Sequence, residues 1–134
     1  METYLGIPGL HVDAGVSYFL PRRVGIHKAF ELLYTARPVD AKEAEKIGMV
    51  NRVVPADQFE SAVKELALDI TNRAPVSLGL TKIVLWKGLD SDLRTAAEFE
   101  TRGMALACLN QDSREGPQAF VEKRKPKFTG KWVG

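Results

Sequence analysis

A mostly helical fold with minor strand is predicted for this 134-residue chain by three observations. Apolar residues recur at helical spacing through most of the sequence after position 25. Two stretches carry the acid-x-x-Glu pattern of a capping box. Only one short stretch, Met49 to Val54, is rich in β-branched residues without helical periodicity.

Each element follows in order. A helix begins near Ile26, with Ile26, Phe30 and Leu33 on one stripe, and ends before Pro38, because a residue preceding proline is pushed out of the helical region. In "DAKEAEKIGM", Asp40 is the N-cap, Glu43 completes a capping box, Ala41, Ala44 and Ile47 form the apolar face, and Gly48 suits the left-handed position after the last turn. "MVNRVV" then reads as a strand stopped by Pro55. From Asp57 to Arg73, Phe59, Ala62, Val63, Leu66, Ala67 and Ile70 repeat at helical spacing, and "APVS" breaks the run. Another helix covers about Val76 to Lys87, and a fresh start at "GLDSD" opens a long helix to about Asn110 with Leu93, Ala97, Glu100, Met104 and Cys108 on one face. "DSREG" repeats the capping box with Asp112 and Glu115, and a last helix carries Phe120 and Val121 before Pro126.

Nothing divides the chain: it has no internal repeat, no low-complexity segment and no long linker, so residues 1–134 read as a single domain with one core. A chain of this length buries roughly two-thirds of the surface it exposes when unfolded. No apolar run approaches the ~18 residues of a membrane span. A basic segment followed by an apolar run is not seen at the start, so the expected setting is the cytoplasm. Cys108 is the one cysteine, which excludes an internal disulfide, and its helical setting suggests a buried, inert thiol.

The net charge of +2 is unevenly placed. Residues 123–134 carry Lys123, Arg124, Lys125, Lys127 and Lys131 with no acid, which leaves the remainder at −3. Such a tail points to an anion, whether the phosphates of a small ligand or a nucleic acid. Few aromatics interleave with those cations, so nucleic acid is the weaker reading and is not expected as a partner.

Asp13 is the most interesting carboxylate, because its neighbours in "GLHVDAGVSYFLPRRVG" are glycines, valines and aromatics. It suits an N-cap for the segment starting near Val16. It also suits a pocket lined by Val12, Val16 and Phe19, where desolvation would make it a stronger base toward carbon acids. The two roles are compatible. His11 and His27 have no partner at ligand spacing, so no metal site is expected. Ser17 lacks a nucleophile elbow, and Gly6, Gly9 and Gly15 fit turns better than a phosphate loop. Trp86 and Trp132 read as packing residues.

Taken together, "VDAGVSYFLPRRVG", "ELLYTARPVDAKEAEKIGMVNRVVP", "APVSLGLTK" and "REGPQAFVEKRKPKFTG" resemble, in order and spacing, the second half of the enoyl-CoA hydratase/isomerase family, the crotonase superfamily. The likeness runs from about Gly9 to Gly130. It implies the C-terminal part of the ClpP-like β-β-α spiral plus a helical trimerisation region. Residues 1–54 would end the spiral core, and 55–134 would form the oligomerisation helices and the tail that binds coenzyme A. Trimers in the family often pair into hexamers.

The resemblance also implies chemistry. Members act on acyl-CoA thioesters and hold the thioester oxygen with two backbone N–H groups, which stabilises the enolate formed when a proton leaves carbon. No cofactor is implied beyond the coenzyme A of the substrate. Asp13 falls where the family has a Pro-x-Ala-Gly pattern, with Val12 replacing the proline; similar members use this aspartate as a base, and dehalogenase relatives use it as a nucleophile. Phe120 and Lys123 match positions that contact the adenine and phosphate end of coenzyme A, with Lys127 assisting. Glu2 is the only acid near the place of the second hydratase glutamate, and its spacing does not fit. The oxyanion-hole amides and the first catalytic glutamate belong to the family's first half, outside these residues. Two expectations follow: a proton-transfer enzyme favouring double-bond isomerisation, or a non-catalytic assembly module that joins a partner supplying that half.

Overall fold

The structure is a computed structural model that describes residues 2–3, 5–6 and 9–133. The chain is mostly helical with little strand, as the periodicity predicts. It divides into two compact units, Met1–Phe59 and Glu60–Gly134.

The first unit holds strand β1 (Glu2–Thr3), helices α1 (Val16–Val24) and α2 (Ile26–Thr35), strand β2 (Val39–Asp40) and helix α3 (Ala41–Lys46). The two strands pair antiparallel, with Glu2 opposite Asp40 and Thr3 opposite Val39. Leu32, Val39 and Ala44 form the core, and Leu5, Ile47 and Met49 pack against it. The buried residues of α2 are Ala29 and Leu32, not Ile26 and Phe30, which are about half exposed. The helical period is right, but the covered stripe is displaced around the axis, because α2 is covered by α1 and, at Leu32, by Val39 and Ala44.

Helix α3 has the expected punctuation. Asp40 Oδ1 accepts from the Glu43 N–H at 2.8 Å, and its far end closes on Gly48 at φ 75°, with the Met49 N–H donating to the Ala44 carbonyl at 2.8 Å. The capping box is only half made. The Glu43 carboxylate turns to Arg37, whose Nη1 and Nη2 lie 2.7 and 2.5 Å from its oxygens, while Arg37 Nη2 also reaches Glu31 at 2.8 Å. The Arg37 fork holds the Glu43 carboxyl below the usual range, and the Lys28 ammonium, with Arg37 beside it, does the same for Glu31. The predicted strand over 49–54 is not formed. Glu45 Oε1 accepts from the Val53 N–H at 2.7 Å, where a ladder bond would have gone.

A short 3₁₀ turn, Ala56–Gln58, leads into α4 (Phe59–Thr71). The second unit continues with α5 (Pro75–Gly88), α6 (Leu93–Cys108) and α7 (Asp112–Val121). Pro75 occupies the first turn of α5, where its missing N–H costs nothing. Asp92 caps α6: its Oδ1 accepts from the Thr95 N–H at 3.0 Å and its Oδ2 from the Thr95 hydroxyl at 2.8 Å, bonds that hold its carboxyl below the usual range. Helices α5 and α6 form a hairpin in which Gly103 admits the Val84 side chain; a Cβ there would lie 3.4 Å from Val84 Cγ2. No residue of α4, α5 or α6 is buried. Cys108 and Trp86 are therefore exposed, against the expectation of buried packing residues, because the helix faces they belong to are uncovered, and Trp132, in the tail, is exposed as well.

Candidate functional site

Asp13 lies in the first unit, and Phe120, Lys123 and Lys127 lie in the second, so the two parts are described separately.

The turn before α1 is built by two consecutive left-handed residues, Ala14 at φ 51° and Gly15 at φ 78°. Glycine is needed at 15 twice over: for its φ, and because a Cβ would sit 3.1 Å from Phe19 Cε2. The Gly15 carbonyl starts the helix, accepting from the Tyr18 and Phe19 N–H groups at 3.0 Å each. Gly15, not Asp13, is thus the cap, and it makes no side-chain bond. Asp13 contributes its backbone carbonyl, which accepts from the Val16 N–H at 3.0 Å. Its carboxylate is exposed instead of enclosed by Val12, Val16 and Phe19. The physical reason is local: the Phe19 ring packs over the Gly15 backbone, so it is not available to wall off Asp13.

The second part is the segment that follows α7. Phe120 is 85% exposed on the last turn of α7. Lys123 follows at φ 54°, a left-handed conformation rarely adopted by residues with side chains. Around it the chain closes α7 with the Arg124 N–H on the Ala119 carbonyl at 3.0 Å and the Lys123 N–H on the Phe120 carbonyl at 3.2 Å. Lys127 is exposed, and its backbone N–H donates to Glu115 Oε1 at 2.7 Å.

Two carboxylates tie this segment down, and neither does what the sequence reading expected of it. Asp112 and Glu115 were expected to form a capping box, but Gln111 precedes α7 and makes no side-chain cap. Asp112 is buried, and its oxygens accept from the Thr129 and Gly130 N–H groups at 2.7 and 2.8 Å. Glu115 forms a bidentate pair with Arg124 at 2.6 and 2.9 Å, and Arg124 Nε also reaches Glu122 at 2.5 Å. The guanidinium and the Lys127 amide hold the Glu115 carboxyl down at about 2. The capping pattern and the "DSREG" spacing are real, but the returning tail offers the carboxylates stronger donors. An antiparallel bridge between Asn110 and Trp132, with the Gln111 N–H on the Lys131 carbonyl at 2.8 Å, completes the anchorage. Between α7 and the tail lies an open polar cleft of about 470 Å³ whose lining includes Arg114, Glu115, Arg124 and Lys127.

Arg124 and its two acidic partners were not singled out by sequence reasoning. The available signal was the charge order in "REGPQAFVEKR", where two glutamates precede an arginine at distances a helix and one turn can bridge. Among the described residues no group of three His, Cys, Asp or Glu side chains is placed to hold a metal ion, and no helix is long and apolar enough to cross a membrane.

Comparison with known proteins identifies the frame to which these parts belong. Crotonyl-CoA hydratase from Syntrophomonas wolfei is 38% identical over 131 residues, covering 97% of this chain and 49% of that protein. Short-chain-enoyl-CoA hydratase from Clostridium acetobutylicum is 37% identical over 125 residues, covering 92% of this chain and 46% of that protein. The crystal structure of an enoyl-CoA hydratase from Bacillus anthracis superposes with a TM-score of 0.87 at 35% identity, covering 92% of this chain and 48% of that one. The chain spans about half the length of the curated relatives it matches. The sequence profile of the enoyl-CoA hydratase/isomerase family matches residues 5–131, so nearly the whole chain is accounted for, and the chain belongs to that family.

Proposed function

We propose that this chain supplies the proton-transfer carboxylate and the coenzyme A contacts of an enzyme acting on acyl-CoA thioesters. The observation that carries the reading is the family match over residues 5–131, within which "VDAGV" and "AFVEKR" stand in family order. Asp13 moves the proton; its carboxylate is not spent on capping α1 and is open to a substrate. Phe120 offers an exposed ring face to adenine, and Lys123 and Lys127 offer ammonium groups to phosphates. One carboxylate favours isomerisation of a double bond over addition of water, because a single base can return to one carbon the proton it took from another. The coenzyme belongs to the substrate, and the active unit is a homo-oligomer, a trimer or hexamer, working in the cytoplasm.

The test is turnover of 3-enoyl-CoA and 2-enoyl-CoA by the protein and by Asp13→Asn. Isomerisation should fall by about 10²-fold or more, the usual size of a lost acid–base group. Formation of 3-hydroxyacyl-CoA as the main product would replace isomerisation with hydration, and unchanged turnover would remove Asp13 from the mechanism.

A second reading has its own observation. Of the predicted core positions of α4, Phe59, Val63, Leu66 and Ile70 are exposed, which suits a module whose task is assembly and which completes a partner. A stable trimer that binds no coenzyme A would favour it.

A further inference from the structure

Helices α3 and α7 end in the same motif, and the two ends differ in one informative way. At α3 the left-handed position is Gly48, at φ 75°. At α7 the equivalent position is Lys123, at φ 54°. Glycine fills this position without strain, whereas a side chain brings its Cβ too close to the neighbouring carbonyl. A lysine held there must be fixed by its surroundings, and such strained residues gather where a site needs a group aimed.

The surroundings are Glu115 and Arg124. The residue after Lys123 is gripped by two bonds to Glu115 and one to Glu122, so three of its nitrogens are occupied. Glu115 Oε1 also takes the Lys127 N–H. Farther along, Asp112 takes the amides of Thr129 and Gly130. Lys123 and Lys127 therefore project from a segment pinned to the first turns of α7 at both ends.

We propose that the Glu115–Arg124 pair is a positioning device. It fixes the backbone at Lys123 and Lys127 and thereby sets affinity for the ribose phosphate at the adenine end of a coenzyme A thioester, which neither Glu115 nor Arg124 touches. This rests on the reading of Lys123 and Lys127 as phosphate contacts. Three of the five guanidinium N–H donors of Arg124 go to carboxylates, so its charge is already compensated within the chain and the phosphate contacts fall to the two lysines.

The experiment measures two things on the intact chain: amide hydrogen exchange at Lys127, Thr129 and Gly130, and calorimetric affinity for coenzyme A and for dephospho-coenzyme A. The variants are Glu115→Gln, which keeps an oxygen for the Lys127 amide but loses the charge, Arg124→Lys, which keeps the charge but loses the fork, and Lys123→Gly. Both variants of the pair should speed exchange at Lys127 by about tenfold and weaken coenzyme A by about five- to tenfold, the size of one ordinary hydrogen bond lost, with dephospho-coenzyme A changed much less. Faster exchange with coenzyme A affinity intact, or equal weakening of both nucleotides, would make the pair merely structural and overturn the proposal. Unchanged exchange in both variants would overturn it as well. If Lys123→Gly leaves coenzyme A affinity unchanged, the failure lies in the reading of the tail as a phosphate site, whatever the pair does to exchange.

Discussion

Glu115 and Arg124 meet face to face, with Nη1 2.6 Å from Oε1 and Nη2 2.9 Å from Oε2, and this pair joins the first half of α7 to the turn that ends it. An ion pair on a protein surface usually contributes little, because water and salt screen it. This one differs in geometry. It is bidentate, it is extended by Glu122 on the arginine side, and it is extended by the Lys127 amide on the carboxylate side. Each added partner restricts the others, so the gain lies in the order of the segment more than in raw stability.

Acid should release that order late. The Glu115 carboxyl lies at about 2 in the folded chain, against an ordinary value of 4.5. A group whose folded value is depressed contributes stability that is complete above the unfolded value and is lost as pH falls through the folded one. The contribution should therefore be whole above pH 4.5 and fade toward pH 2. Exchange at Lys127 followed by NMR should stay protected, relative to Glu115→Gln, across that window. Coincidence of the two profiles at pH 5 would show that the carboxylate holds nothing.

The two left-handed helix ends give a matched pair of substitutions. Gly48→Ala should destabilise the chain by about 1–2 kcal/mol, the cost of a left-handed side-chain residue. Its Cβ would meet only the Arg23 carbonyl at an ordinary 3.5 Å, so backbone conformation dominates the cost. Lys123→Gly relieves the same strain and should leave thermal stability equal or higher. A clear loss of stability in Lys123→Gly would mean that the lysine side chain, not the ion pair beside it, holds the turn.

The cap of α6 offers a cleaner local measurement. Asp92→Ala removes the oxygen that accepts from the Thr95 N–H, and should cost about 1 kcal/mol. Asp92→Asn keeps an acceptor and should recover most of that. Denaturant unfolding of both variants separates the cap from the charge; equal losses would assign the effect to charge at the helix N-terminus.

These comparisons show what could be read from residue order and what could not. Helix identity, the start at Asp92, the cap at Asp40 and the left-handed Gly48 follow from bonds between residues three or four apart, and such patterns are visible in sequence. Asp112 and Glu115 do not make the expected capping box because their donors come from beyond α7, 17 and nine residues away for Thr129 and Arg124. The stretch 49–54 has strand character but no strand partner among the described residues, and β-propensity describes fit to a pleated neighbour more than a preference of the backbone. For Asp13 the residues show a carboxylate beside an apolar stretch, but neither the expected cap nor the expected pocket forms, because the Gly15 backbone starts α1 and the Phe19 ring packs over it.

One apolar face of α4 is uncovered. Phe59, Val63, Leu66 and Ile70 keep the spacing of a buried stripe, yet they are 61, 51, 54 and 48% exposed. Covering such side chains stabilises by about 1.5–3 kcal/mol each when burial is complete. Association of copies through this face should therefore be favourable, and a charge placed in it should be costly only in the associated form. Leu66→Glu should leave helix content unchanged in dilute solution and shift sedimentation from a larger to a smaller species. By contrast, Leu32→Ala, in the core of the first unit at 1% exposure, should cost about 2–5 kcal/mol and unfold the chain without first changing its assembly. Identical sedimentation of the parent chain and Leu66→Glu would show that the apolar stripe of α4 meets no second copy, and its spacing would then need a different partner to explain it.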